Sequence, residues 1–352
     1  MALGMSSSHA PDGRAAASTS AAGLGYGLLA YASWGLAPIF WKALARIPAG
    51  ELVAHRTIWG LATFAGLAFW RGHGPAMRAA LRNPRTLRAL VLSALLLSSN
   101  WLIFIYATIS GRVIEASLGY FINPLVNVLL GMLLLGERLR RMQWLSVGLA
   151  TLGVVALTVQ TDGLPWISLY LGVSFALYAY LRKTVAVDAL PGSTVETLCM
   201  MPLAIGYLVW PGTSGHFGQV DVTTQVLLLS TGAITALPLL WFTHAARRLP
   251  LTTLGFLQYL SPTTQFLLAV LVYGESFTPA HQQGFSCIWA GLVVFSVDTW
   301  SQARSRRQAV RAARAATAEA AAVATADAAA AAAETAAVAA STSVDTPRAP
   351  SR

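Results

Sequence analysis

Charged residues are scarce in this sequence. They make up only 11% of its 352 residues, whereas a soluble globular domain carries about 25%. Hydrophobic residues account for 55% of the chain, and its mean hydropathy is +0.58. The shortage of charge excludes an ordinary soluble domain and indicates a polytopic membrane protein.

Cysteine is almost absent, and the common chemical motifs are missing. The two cysteines, Cys199 and Cys287, both lie in apolar segments, so neither a disulfide framework nor a cysteine metal site is expected. The sequence contains no Walker loop, no His/Cys metal cluster and no nucleophile elbow. We therefore expect no cofactor, no metal and no enzymatic activity, and ATP-driven transport lacks support.

The formal net charge of +10 does not indicate a nucleic-acid partner. The basic residues lie in short loops between apolar segments, where they orient a membrane protein in its bilayer. We therefore expect the lipid bilayer to be the partner of this chain, and no nucleic acid.

Long apolar runs divide the chain into ten segments. Residues 116–136, for example, contain no charged residue, and about 20 apolar residues suffice for a helix to cross a bilayer. We predict an all-α membrane protein with ten transmembrane helices. Their approximate ranges are 24–43, 52–70, 88–108, 114–136, 143–160, 166–182, 194–210, 225–245, 252–274 and 283–300.

Basic residues indicate the orientation of these segments. With a cytoplasmic N-terminus, most loop Lys and Arg residues fall on the cytoplasmic side, and the outer loops between spans 5–6, 7–8 and 9–10 contain none. Since cytoplasmic loops are enriched in Lys and Arg, we expect both termini in the cytoplasm and the protein in the bacterial inner (plasma) membrane. Residues 1–22 are predicted to be a disordered cytoplasmic N-terminus, and residues 301–352 a low-complexity, Ala-rich cytoplasmic tail.

The chain contains an internal repeat. Pro124 and Pro262 occupy corresponding positions in two apolar segments, as do Gly153 and Gly291, and both pairs are 138 positions apart. With five spans each, the two repeats must enter the membrane in opposite orientations, and inverted repeats typically place a site between them near mid-membrane. The predicted repeats are residues 23–160 and 161–300.

Four stretches carry a resemblance to a known family. They are EASLGYFINPLVNVLLGM (115–132), GERLRRMQW (136–144), AHRTIW (54–59) and LGFLQYLSP (254–262). These stretches resemble the RarD branch of the EamA family, in the drug/metabolite transporter superfamily. The resemblance covers about residues 23–300 and does not include the Ala-rich tail. It implies ten helices in two inverted five-helix repeats and the transport of small solutes, and it leaves the substrate open.

Charged residues within the predicted spans are the first site candidates, because each costs at least about 2.5–3.5 kcal/mol at a helix centre. Arg56 lies about one turn inside the second span. It either snorkels to the outer surface or serves as an anion clamp or carboxylate partner, and the resemblance favours the second role because AHRTIW contains the matching arginine. Glu115 begins the fourth span, either as an interfacial residue or as a cavity carboxylate that pairs with Arg56 or exchanges a proton.

Two histidines and one further acid have weaker signals. An unperturbed histidine side chain changes charge near neutral pH, so His55 and His244 are each either a packed, hydrogen-bonded residue or a functional one. Glu196 begins the predicted seventh span, where the helix dipole favours a carboxylate. We therefore interpret Glu196 as structural.

Uncharged polar side chains form the largest group of candidates. Amides inside a membrane must find partners, so they face the bundle interior or water. They serve either as contacts between helices or as ligands of a solute, and Trp101 either stacks on a flat solute or packs. The predicted substrate-binding or cavity residues are Arg56, Asn100, Trp101, Tyr106, Glu115, Tyr120, Asn123, Asn127, His244, Gln258, Tyr259 and Gln265.

These observations lead to a functional hypothesis: a secondary transporter of small organic solutes that works by alternating access. A small-molecule substrate is expected, and the residues leave a coupling proton and a homodimer open. Two alternatives remain at this point, a membrane sensor or assembly partner that transports nothing, and a membrane-embedded enzyme that modifies lipid. The enzyme would need clustered acids or histidines at one membrane face, and the sequence offers only scattered ones.

Overall fold

The fold is described from a computed structural model covering residues 13–135, 139–160, 164–211, 213, 216–246, 248–249, 253–254 and 257–342. Every regular element among these residues is helical, and they contain no β-strand. The helices are α1 (Gly13–Ala43), α2 (Ala49–Trp70), α3 (Gly74–Arg82), α4 (Pro84–Ile109), α5 (Val113–Leu135), α6 (Arg141–Gln160), α7 (Trp166–Thr184), α8 (Ala189–Val209), α9 (Val222–Ala246), α10 (Leu260–Leu267), a π-helical turn (Leu268–Val272) and α11 (Pro279–Thr342).

Seven helices within the described residues are long and apolar enough to cross a membrane. They are α2, α4, α5, α6, α8, α9 and residues 279–302 of α11. The predicted spans at 24–43 and 166–182 coincide with helices α1 and α7, but these two are not among the seven. In the predicted span at 252–274, the structure forms α10 and the π-helical turn, a shorter apolar helix. The all-helical membrane class is thereby confirmed.

The chain divides into two units, one ending at Ser296 and the other beginning at Val297. In the first unit, α1 begins at Gly13, earlier than the predicted span, and residues 1–12 lie outside the described residues. In the second unit, residues 297–342 are helical, and most of the described side chains of the Ala-rich segment are exposed. Residues 343–352 of the predicted tail lie outside the described residues.

Side-chain hydrogen bonds cap the starts of two helices, α4 and α5. The side chain of Asn83 accepts from the backbone N–H groups of Arg85 and Thr86 at 3.0 and 3.2 Å, which caps the start of α4. At α5, the carboxylate of Glu275 accepts from the N–H groups of Val113 and Ile114, both at 2.9 Å. A distant carboxylate therefore caps α5, as expected at the positive end of a helix dipole.

Gly274 places this capping carboxylate. Its φ of 64° lies in the left-handed region that side chains with a Cβ disfavour. The chain turns at this residue directly after the π-helical turn, and the N–H of Glu275 donates to the carbonyl of Ala269 at 2.9 Å. The Gly274-Glu275 pair at the end of the predicted span 252–274 therefore has a structural role; the pair that corresponds to it in the first repeat, at 136–137, lies outside the described residues.

The main helix contacts join early helices to late ones. The most extensive contacts are those of α5 with α7, α2 with α8 and with α9, α1 with α9, and α4 with α7. Further contacts join α1 to α10, α10 to α5 and α4 to α8. An apolar cluster around the fully buried Trp41 draws residues from α1, α2, α4, α7 and α9. The core of the first unit therefore lies between segments that are far apart in the sequence.

Gly153 and Gly291 make reciprocal contacts between α6 and α11. A Cβ built on Gly153 would lie 2.6 Å from the carbonyl oxygen of Gly284 and 2.8 Å from Ile288. A Cβ on Gly291 would lie 2.8 Å from the carbonyl oxygen of Ser146. The neighbours of Gly153 lie 138 positions after those of Gly291, the same spacing that separates the two glycines: Gly284, Cys287 and Ile288 correspond to Ser146, Leu149 and Ala150.

Replacing either glycine by alanine is expected to destabilise the protein by about 1–3 kcal/mol, the usual cost of overpacking. The new methyl group would meet backbone atoms, which cannot rotate away. Gly148 is the matched control on α6, because a Cβ there meets nothing within 4 Å, and alanine favours helix over glycine by about 1 kcal/mol. Detergent-induced unfolding of the three variants measures the effect, and equal stability of G148A and G153A would contradict it.

Candidate functional site

Arg56 is a buried arginine on α2. It lies seven residues after the first residue of the helix, about 10 Å along its axis, and only 9% of its surface is exposed. Its guanidinium carbon lies 4.2 Å from the centroid of the Trp101 ring on α4. Nε has no hydrogen-bond acceptor among the described residues, so the guanidinium has unused capacity for hydrogen bonding.

Tyrosine hydroxyls from two other helices approach this arginine. Tyr120 on α5 and Tyr178 on α7 both lie near enough to Arg56 to affect it electrostatically. The Tyr120 hydroxyl donates to Oδ1 of Asn100 at 3.3 Å, and the Asn100 amide donates to Oγ of Ser174 at 2.9 Å. Helices α2, α4, α5 and α7 therefore contribute to one polar junction, which we call the Arg56 junction (Arg56, Asn100, Trp101, Tyr120, Ser174 and Tyr178).

A buried carboxylate adjoins this junction. Glu196 on α8 is 2% exposed, accepts a 2.5 Å hydrogen bond from Ser93, and lies 3.6 Å from Nε of Arg182. Tyr178 interacts electrostatically with Arg182 and Glu196 as well as with Arg56. A continuous set of polar side chains thus leads from Arg56 to Glu196.

The position of Glu196 corrects the sequence interpretation. The predicted span began at residue 194, which made Glu196 a helix-terminal carboxylate, whereas α8 begins at Ala189 and places Glu196 two turns inside the helix. Gly192 lies against Arg182, and a Cβ there would clash with its guanidinium. The missing side chain leaves room for Arg182 to approach Glu196.

A second buried carboxylate lies on α2, before Arg56. Glu51, which is 2% exposed, accepts from the backbone N–H of His216 and pairs with its Nδ1, both at 2.7 Å. Nε2 of His55 lies 3.7 Å from the same carboxylate, and the Phe217 ring is 5.3 Å from the His55 ring. Glu51 is therefore already partnered by the segment between α8 and α9.

Glu115 and Tyr106 lie at a different place from Arg56. Glu115 forms a two-point ion pair with Arg112, at 2.6 and 2.8 Å, and this carboxylate raises the pKa of Arg112. Tyr106 is 40% exposed and neighbours Trp166, with 6.4 Å between the ring centroids. Glu115 therefore pairs with its neighbour on the chain and not with Arg56.

Two of the predicted amides hold helices together, and a third bonds within one helix. The Asn123 amide donates to the Gly172 carbonyl on α7 at 3.0 Å, and the Asn127 amide donates to Asn123 at 3.1 Å. On α10, the Gln265 amide donates to the Trp34 carbonyl on α1 at 3.1 Å. The Asn123 and Gln265 contacts match the interhelical role that the sequence left open for such residues, whereas the Asn127 bond lies within α5.

The remaining candidates are placed apart from Arg56. His244 stacks on Tyr26 with 5.1 Å between ring centroids, and its Nδ1 lies 3.2 Å from Arg248. Gln258 and Tyr259 are half-buried, and Tyr259 packs against an apolar cluster. Of the predicted set, the structure brings together Arg56, Asn100, Trp101 and Tyr120.

Several residues of this region were missed by sequence reasoning. Tyr178 and Arg182 are on α7, Ser93 is on α4, and Glu51 and His216 are on different segments. The only sequence signal was the repeat: its first helices align at a spacing of 141, which pairs Ser33 with Ser174 and Lys42 with Lys183, and the same spacing pairs His55 with Glu196. Within the described part of the chain, no three His, Cys, Asp or Glu side chains are grouped as metal ligands would be.

Several known proteins with similar sequences are named transporters. A profile of the EamA-like transporter family matches residues 21–159. An uncharacterized transporter of Vibrio cholerae is 45% identical over 282 residues, which cover 80% of this chain and 93% of that protein. Protein RarD of Escherichia coli K12 is 42% identical over 283 residues, with coverages of 80% and 96%.

Two further similarities are more distant. A Pseudomonas aeruginosa protein named chloramphenicol-sensitive protein RarD is 34% identical over 74% of this chain and 88% of its own length. One solved crystal structure is similar with a TM-score of 0.51 and 19% identity, over 79% of this chain and 96% of that chain. At this low identity, the similarity to the solved structure concerns the fold alone.

Proposed function

Since the chain belongs to the EamA-like transporter family, we propose that it is a secondary transporter that moves small organic solutes across a bacterial inner membrane by alternating access. The chain is a multi-pass membrane protein, with several helices long enough to span a bilayer and relatives that are named transporters. The substrate, the mechanism and the arrangement in the membrane are the parts proposed here.

The proposed architecture has ten membrane helices in two inverted five-helix repeats. In this scheme α1, α2, α4, α5 and α6 correspond to α7, α8, α9, α10 and α11. The helix contacts follow this correspondence: α1 with α9 is matched by α7 with α4, α1 with α10 by α7 with α5, and α2 with α9 by α8 with α4. The reciprocal neighbours of Gly153 and Gly291 support the same two-fold relation at the level of single residues.

One observation supports the transport proposal: the Arg56 junction draws side chains from both predicted repeats. Arg56, Asn100, Trp101 and Tyr120 come from the repeat at residues 23–160, and Ser174 and Tyr178 come from the repeat at residues 161–300. Transporters with inverted repeats bind their substrates near mid-membrane between the repeats. We assign solute binding to this junction, with Arg56 as the residue that contacts the solute.

Alternating access requires the site to open to one side at a time. Glu51 and His216 link α2 to the segment before α9, and with a cytoplasmic N-terminus this link lies at the outer end. Ser93, Arg182 and Glu196 lie toward the cytoplasmic end under the same orientation. We propose that one five-helix repeat rocks against the other and exposes the Arg56 junction to each side of the membrane in turn. A solute or proton gradient drives this motion.

Flux into vesicles tests the proposed function. Purified protein is reconstituted into liposomes with an imposed pH gradient, and uptake is measured for a panel of neutral, cationic and anionic organic solutes. The panel includes chloramphenicol, because one relative is named chloramphenicol-sensitive. Protein-dependent uptake of at least one solute is expected, with protein-free liposomes as the control. Absence of uptake for the whole panel, in both gradient directions, would overturn the transport proposal.

A further inference from the structure

We infer that the solute of the Arg56 junction is an organic anion, a carboxylate attached to a flat apolar body. The inference rests on the proposed transport function and adds the chemical class of the solute. It depends on the distribution of charge around Arg56, on the hydrogen-bonding groups that face it, and on the rings that surround it.

The nearby carboxylates already have partners. The Glu51 carboxylate accepts from the backbone N–H of His216 and pairs with the His216 ring. The Glu196 carboxylate accepts from Ser93 and lies beside Arg182. Among the described residues, no Asp or Glu forms an ion pair with Arg56. The junction therefore contains one buried positive charge without a counter-charge.

Trp101 does not neutralise this charge. Its ring at 4.2 Å from the guanidinium carbon provides a cation–π contact, which is weaker than an ion pair in a buried site. A bound anion would supply the missing charge, because a guanidinium presents its donors in a planar fork that matches a carboxylate at two points. The unpartnered Nε is one of these donors.

The hydroxyls of Tyr120 and Tyr178 fit the same ligand. Both tyrosines lie near enough to Arg56 to affect it electrostatically, and a tyrosine hydroxyl can donate to a carboxylate oxygen. A cationic solute would meet the like charge of Arg56, and a neutral solute would leave the guanidinium uncompensated. The charge distribution thus selects an anion.

Aromatic rings define the rest of the binding surface. Neighbouring ring centroids lie 5.6–6.1 Å apart along a continuous series that passes Arg56. Trp41 and Phe104 are buried, and the other four rings keep part of their surface accessible. These four can receive a flat apolar group by stacking or edge contacts. The series consists of Trp41, Trp101, Phe104, Tyr120, Phe175 and Tyr178.

Matched pairs of carboxylates and amides test this inference. Calorimetry at neutral pH measures binding to the full-length protein in detergent micelles, using benzoate with benzamide, cinnamate with cinnamamide, and indole-3-acetate with indole-3-acetamide. Each amide preserves the shape of its carboxylate and removes the charge. We expect at least one carboxylate to bind about tenfold or more tighter than its amide, the effect of losing a buried charge interaction.

Three variants assign the preference to Arg56. In Arg56→Gln the carboxylate and its amide should bind equally, and Arg56→Lys should keep a reduced preference because it keeps the charge and loses the fork. Arg112→Gln is the matched control. The guanidinium carbon of Arg112 also lies near a tryptophan ring, 5.7 Å from the centroid of Trp166, but Arg112 already pairs with a carboxylate of the protein. A preference that persists in Arg56→Gln, amides that bind as tightly as carboxylates, or no carboxylate binding would each overturn the inference.

Vesicle flux separates this inference from the proposed function. Uptake of a neutral or cationic solute, with no binding of the carboxylates, would overturn the anion class and leave transport standing. Carboxylate binding through Arg56, with no uptake of any solute of the panel, would support the anion site and overturn transport.

Discussion

Replacing Arg56 by glutamine should lower solute flux in reconstituted vesicles by about 100-fold or more. Removing one partner of a buried, hydrogen-bonded charge pair costs about 2–5 kcal/mol, and each 1.4 kcal/mol is a factor of ten in binding. The arginine is 9% exposed and lies over the Trp101 ring, so water cannot readily replace its contact with a solute. Initial uptake rates at equal amounts of reconstituted protein measure the effect.

Insertion and folding must be unchanged for this result to report on the site. Chromatographic profile and helix content of Arg56→Gln should match the unsubstituted protein, because Arg56 has no ion-pair partner within the described residues. The control is Arg112→Gln, which removes an arginine that pairs with Glu115 at 2.6 Å and should leave flux within about twofold, as for an exposed ion pair. Undiminished uptake by Arg56→Gln would exclude Arg56 from the binding site.

Breaking the pair between Arg182 and Glu196 is expected to destabilise the protein by about 3 kcal/mol. Arg182→Met leaves the 2% exposed Glu196 carboxylate without its counter-charge, and such losses typically cost about 3–5 kcal/mol. The lower end applies because the two groups are 3.6 Å apart and Ser93 still donates to the carboxylate. Unfolding in increasing concentrations of denaturing detergent measures the change.

A double substitution distinguishes a buried pair from two independent side chains. Arg182→Met combined with Glu196→Leu removes both charges together and should cost clearly less than the sum of the single substitutions. Arg112→Met is the matched control, since its pair with Glu115 is 34% and 21% exposed and should contribute at most about 1 kcal/mol. Strictly additive effects of the two substitutions would show that the pair has no coupling energy.

Much of the helical framework could be predicted from hydropathy. Apolar runs and the charges that flank them placed a helix at each predicted segment, because a bilayer requires long uncharged helices. The segment at 252–274 was less regular than expected. The structure has the short helix α10 followed by a π-helical turn at Leu268–Val272, and the sequence there carries no residue pattern that distinguishes a π turn from an α-helix.

The start of α8 shows why a helix boundary changed the interpretation of a charged residue. The predicted span began at residue 194, but α8 begins at Ala189 and includes Pro191 and Gly192, since proline is accepted in the first helical turn. Glu196 consequently became a buried residue of the helix interior. Its contacts with Ser93 and Arg182 depend on packing among α4, α7 and α8, which local sequence does not determine.

The candidate site was partly predictable. Arg56 was identified because charge inside an apolar helix is costly, and Asn100, Trp101 and Tyr120 because polar groups in a membrane must face the bundle interior. The sequence could not separate these from Asn123, which shares the same chemistry and donates to a backbone carbonyl on α7. Similarly, Gly148 and Gly153 are alike in sequence, but only Gly153 packs tightly against α11.

The central claim is that two oppositely oriented five-helix repeats enclose the Arg56 junction, and membrane-side accessibility tests it most directly. Ala45 and Ala186 are exposed loop residues 141 positions apart, at equivalent places in the two repeats. In a variant with Cys199 and Cys287 replaced by serine, each alanine is changed to cysteine and treated with a membrane-impermeant maleimide on intact cells. The account predicts labelling of A45C from outside and of A186C only after permeabilisation; labelling of both from the same side would contradict it.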